Sequence, residues 1–137
     1  MTWAWSVVPL WSQAKLVEGT MPAVFGRDAG GSGDVRISAT LWPVANREKG
    51  EYLGLTVAVL EPTGNYSNQR ILNIGDNRRK VALLAGWSTP MTESLRLELI
   101  PEISLYGANT DHLGGRRRTQ DAAAALTGYL RWRVATQ

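Results

Sequence analysis

A chain of 137 residues, 44% apolar and 20% charged, has the make-up of one globular domain long enough to bury a core. It has no cysteine, which excludes disulfides, thiolate metal sites and a cysteine nucleophile. The net charge of +3, carried by twelve arginines and three lysines, is too small an excess to mark a nucleic-acid binder.

In chain order, residues 2–8 alternate, with Trp3, Trp5 and Val7 on one side, until Pro9 removes a ladder donor. This reads as an edge strand or an arm, extended by a segment over 12–18. Residues 1–18 are therefore expected to be an N-terminal arm and 19–137 a single domain. The N-terminus has no basic start and no small-residue cleavage pattern, and no stretch has the length of a membrane helix, so a soluble cytosolic product with no membrane partner is expected. Gly26 to Gly33 reads as a loop.

Val35 to Leu41 alternates cleanly, Pro43 to Gly50 is a polar connection, and Tyr52 to Leu60 is the longest predicted strand. Glu61 to Asn65 has turn residues. Arg70 to Ile74 and Lys80 to Leu84 read as two short strands, Trp87 to Met91 as a loop, and Ser94 to Ile100 as a strand that Pro101 ends or bulges. Asn109 to Gln120 is a polar loop. Asp121 to Leu126, with four consecutive alanines, suits one helical turn. Residues 128–134 alternate again. Short strands with turns between them predict an all-β, antiparallel β-sandwich of jelly-roll type with an extended N-terminal arm. Leu53, Leu55, Val57, Val59, Leu95, Leu97, Leu99, Leu130, Trp132 and Val134 are its expected core.

Catalytic and cofactor signals are weak. The single histidine, His112, sits beside Asp111 in a glycine-containing loop and lacks the partners of a triad. Asp28 and Asp34 flank a glycine-rich loop without the remaining ligands of a calcium site. Gly30 to Gly33 lacks the lysine and helix of a phosphate loop, and Asn65-Tyr66-Ser67 matches a glycosylation sequon only by pattern. No enzyme activity, cofactor or metal is expected.

Arg116, Arg117 and Arg118 must be solvated or meet an acidic partner, and the solvated loop is the simpler reading. The six tryptophans are more suggestive. Trp3, Trp5 and Trp11 crowd the arm, where they either pack into the domain or anchor an interface. Trp42 and Trp87, at strand ends or in loops, suit stacking on sugar rings.

Gly128-Tyr129-Leu130-Arg131-Trp132-Arg133-Val134, the Leu-Arg-Leu-Glu-Leu run from Leu95 to Leu99, and the strand from Leu53 to Val59 together resemble capsid decoration (cement) proteins of tailed phages. That resemblance implies a non-enzymatic virion protein on the phage head, made in the host cytoplasm. It would form a symmetric homo-oligomer such as a trimer and bridge copies of the major capsid protein. Trp3, Trp5, Trp11, Arg116, Arg117, Arg118, Arg131 and Arg133 are then the expected contacts. The alternative is a carbohydrate-binding sandwich using Trp42 or Trp87. A coat protein that meets nucleic acid through the arginine loop ranks third.

Overall fold

The computed structural model describes residues 2–15 and 28–134. It is all-β and antiparallel, as expected. Six strands form one sheet in the order β1 (Thr2–Val8), β4 (Val35–Asn46), β5 (Glu51–Glu61), β6 (Lys80–Pro90), β7 (Leu95–Tyr106) and β10 (Ala123–Trp132). Two hairpins accompany it: β2 (Trp11–Lys15) with β3 (Asp28–Ser32), and β8 (Asn109–His112) with β9 (Arg116–Arg118). The boundary expected near residue 18 lies outside the described residues, as does part of the 12–18 segment. Trp3 and its neighbours pair along β4 from Thr2↔Trp42 to Val8↔Arg36, so β1 is an edge strand of the large sheet.

Several segments differ from expectation: 28–32 and the two arms of 109–118, read as loops, pair as β3 with β2 and as β8 with β9, and β4 runs on through Pro43 to Asn46 because Val44, Ala45 and Asn46 pair with β5. Residues 71–79 are bends rather than a strand, held by side chains described below. β6 runs through Trp87 to Pro90, which read as a loop; pairing on both sides, to β5 and β7, overrides the weak propensity of Gly86 and Pro90. Ala123 to Leu126 is strand, because Ala123, Ala124 and Ala125 pair with Ser104, Ile103 and Glu102 instead of closing a helical turn. β7 also continues through Pro101 without a break.

The connections are unequal. Residues 47–50 and 91–94 are tight turns at one end of the sheet, the first with Gly50 at φ 65°. Residues 9–15, 28–34, 62–79 and 107–122, with both hairpins, gather at the other end. The β8–β9 tip needs left-handed backbone at Leu113, Gly114 and Gly115, which two glycines supply at little strain.

The expected core is not enclosed. Leu55 is 46% exposed, Val57 49% and Trp132 71%, and Leu130 and Val134 are similarly open. Among the described residues the buried apolar side chains are Ala29, Ala58 and Ala82. Alternation correctly marks one apolar face; it does not say what covers that face.

Candidate functional site

The registers sort the large sheet into two chemically opposite faces. Direct cross-strand partners share a face, so Trp3, Trp5 and Val7 align with Leu41, Ala39 and Ile37. These continue into Leu55, Val57 and Val59, then Ala85, Leu83 and Val81. Ile103 and Leu105 on β7 extend the rows, and Leu97 meets Leu130 on β10. The result is one exposed apolar surface across all six strands. On β5 its outermost positions are Glu51 and Glu61, and no charged residue lies between them on that face. A shallow groove of about 680 Å³ runs over it beside Leu41, Leu55, Leu83 and Ile103.

The opposite face is polar and internally bonded. Ser6 meets Ser38 and Thr40 meets Thr56, both at 2.8 Å. Lys80 Nζ lies 3.2 Å from Glu102, which also accepts from Ser104 Oγ at 2.5 Å. Toward the short-turn end, Arg96 donates to Ser88 Oγ and the Gly50 carbonyl, and Arg131 pairs with Glu98 at 3.1 Å. Ala58, Ala82 and Ser104 are closed over between these longer side chains.

A bulge between Leu41 and Val44 re-aims β4. It lays the Trp42 ring over Gly54, where a Cβ would come within 3.0 Å of the indole. Gly54→Leu is expected to lift the ring, abolish its near-ultraviolet circular dichroism and lower stability by about 1–3 kcal/mol; denaturant unfolding and the spectrum check this.

The three long connections lock together. Asp34, buried, accepts from the backbone of Gly64 (3.0 Å) and Asp76 (2.9 Å). Asn65 binds Ser32 through backbone and side chain, which occupies the sequon asparagine. Asn109 donates to Tyr66 Oη and the Asp76 carbonyl. Arg78, also buried, donates to Asp76 and Gln120 and stacks 4.8 Å above Tyr106, with Nη1 unpaired. At the surface nearby, Arg79 bonds Glu61, which raises the arginine pKa.

The residues expected to make partner contacts are scattered. Trp3 and Trp5 stand on the apolar face, and Trp11 opens β2, all exposed. Arg116, Arg117 and Arg118 form β9 and are exposed. Arg131 is tied to Glu98, and Arg133 joins it beside Ser94 in a small cleft. By register Trp87 lies on the apolar face and Trp42 on the polar one, and both border one small pocket with Tyr52 and Gly86. Asp34 has both oxygens engaged by backbone amides and does not join Asp28 in a cation site. Sequence reasoning missed the polar ladder and the Gly54–Gly86 pair, of which Gly54 lies beneath Trp42. Two glycines inside predicted strands were the available signal, since such residues mark close approach.

A protein-family model described as "Putative MetA-pathway of phenol degradation" matches residues 3–137. Among solved structures, an outer membrane channel from Pseudomonas putida F1 is similar at a TM-score of 0.76 and 27% identity. The match covers 96% of this chain and 55% of that one, so the chain spans about half the channel's length. No curated protein matches it. These findings overturn the phage reading: a capsid decoration protein on the phage head, with a major capsid protein as partner and no membrane, is not what the chain resembles. The carbohydrate-binding alternative gains no support from either match. The phage reading rested on strands of two-residue period, a pattern that many β architectures share.

Proposed function

The chain belongs to the family of the MetA pathway of phenol degradation, and from that premise we propose that it forms part of the wall of an outer-membrane β-barrel channel, with no catalytic role. Its apolar face meets lipid and its polar face lines the lumen. The observation that carries this reading is the uninterrupted apolar surface, exposed on every strand and opposed by a bonded polar ladder. An isolated sheet in water would not leave so large a surface bare.

The dimensions agree. β4, β5, β6, β7 and β10 have 10 to 12 residues each, close to the roughly 9–11 that a tilted strand needs to cross. From Glu51 to Glu61, at about 3.4 Å per residue and a tilt of about 40°, the uncharged band is about 26 Å high. Trp3, Trp87 and Trp132 stand on the apolar face toward the short-turn end, where an interfacial aromatic girdle belongs. Short turns at one end and long connections at the other match the periplasmic and external sides of such barrels. Lipid cannot satisfy an open sheet edge, so further strands complete the wall against β1 and β10.

Tryptophan quenching by lipids brominated in their acyl chains tests the reading. Trp3, Trp5, Trp87 and Trp132 are expected to be quenched on reconstitution, and Trp42 spared. Reconstituted protein whose exposed tryptophans are untouched by bromine would end the proposal.

A further inference from the structure

We infer that the polar face of this wall favours small anions over cations, through Arg36 and Lys80 at its long-connection end and Arg96 and Arg131 at its short-turn end. The inference deepens the channel reading and rests on it, since that reading makes this face the lumen. By register, the charged side chains on this face of the six strands are those four cations and two carboxylates, Glu98 and Glu102. The face therefore carries an excess of two positive charges, one at each end.

Each end repeats one arrangement, two cations around one carboxylate. At the long-connection end Lys80 Nζ is 3.2 Å from Glu102. Arg36 stands in the same cross-strand row as Lys80, two strands or about 10 Å away across Leu60. Among the described residues Arg36 enters no ion pair. At the short-turn end Arg131 holds Glu98, and Arg96 is the direct cross-strand partner of Arg131. Arg96 donates to Ser88 Oγ and the Gly50 carbonyl, neutral acceptors that leave its charge uncancelled. Like charges directly opposite each other destabilise a sheet. Strand pairing alone would favour opposite signs at Arg96 and Arg131, so this pair of cations answers to something other than the ladder.

Between the ends the face carries hydroxyls. Ser6 bonds Ser38 and Thr40 bonds Thr56, each at 2.8 Å. Each pair uses one hydroxyl hydrogen and leaves the other free to donate. An anion passing between the cationic ends meets donors on the way, whereas a cation meets repulsion at both ends. Arginine and lysine side chains around a pore select anions by this means.

The test is the zero-current potential of the reconstituted chain in a planar bilayer under a potassium chloride gradient. Chloride is expected to pass about threefold or more faster than potassium near 0.1 M salt, where charges act over about 10 Å, and the preference to shrink near 1 M, where they act over about 3 Å. Arg36→Glu inverts the long-connection cluster to one cation and two carboxylates and is expected to abolish the preference. Arg36→Gln, for use if the glutamate variant does not fold, is expected to cut it by about half. A circular dichroism spectrum matching the parent's certifies each fold. Strands that complete the wall are the same in parent and variant, so the difference between them reads this face alone. A potassium preference in the parent, or one zero-current potential shared by parent and folded variant, overturns the inference. Conductance without a chloride preference sinks only the anion selectivity. Bromine quenching without conductance sinks the channel reading, and the selectivity with it.

Discussion

Val57→Arg is expected to prevent folding into lipid vesicles while Thr127→Arg leaves it nearly intact. Val57 stands mid-strand on β5, with Ala39 and Leu83 as its cross-strand partners on the apolar face. An arginine facing lipid near the bilayer midplane costs about 2–4 kcal/mol, a fall of roughly thirty- to a thousandfold in the folding equilibrium constant. Thr127 is opposite Ile100, on the face that carries Tyr129 and Arg131. An arginine there joins the polar face, and an exposed polar substitution typically changes stability by about 0.5 kcal/mol or less. The contrast is diagnostic because the side chain at Val57 is already half exposed. In water, arginine there would be close to neutral. Unfolding titrations in vesicles, followed by the mobility difference between heated and unheated protein on gels, read both variants. Equal behaviour of the two would mean that the faces do not meet different solvents.

The same distinction explains what was legible in the sequence. The alternation of Leu53, Leu55, Val57 and Val59, and of Leu95, Leu97 and Leu99, located strands and sorted their faces correctly. It could not identify the medium against the apolar side, because a facing sheet and a lipid tail impose the same period of two. The overall charge was equally silent, since the charged residues sit on the polar face or at strand ends, as Lys80, Glu102 and Glu51 do. Trp3 and Trp132 were read as an interface anchor and a core residue; one exposed surface holds both. β6 was cut short because Gly86 and Pro90 are poor strand formers taken alone. Pairing with β5 and β7 keeps them in the ladder, and the bare Gly86 then becomes the open floor of the Trp42 pocket. That pocket also depends on the Leu41–Val44 bulge, a register event that local patterning around Pro43 does not specify.

Asp34 should prove the most sensitive position outside the sheet. It stands between β3 and β4, and its two oxygens accept the amides of Gly64 and Asp76, fastening the 62–79 connection at two points. The backbone there is too crowded for a substitute: a Cβ at Gly64 or Gly75 would come within 2.9 Å of Asp34 Oδ1. The next links depend on the same clamp, because Gly75 donates to the Asn65 carbonyl and the Asp76 carbonyl accepts from Asn109. Asp34→Ala leaves two amides without their charged acceptor, each worth about 1–3 kcal/mol. Hydrogen exchange at Gly64 and Asp76 is expected to accelerate about a hundredfold or more, and proteases to cut within 62–79. Asp34→Asn keeps the shape but turns an amide nitrogen toward one of the two donors. One contact survives, and the loss should be roughly half as large in free energy. The strands should be spared in both variants, since their ladders do not run through Asp34, so amides of β5 and β6 serve as the internal reference. Strand and loop amides loosening together would show that the connections and the wall unfold as one unit. Gly64 still protected in the alanine variant would mean that packing, not the carboxylate, holds the long connections in place.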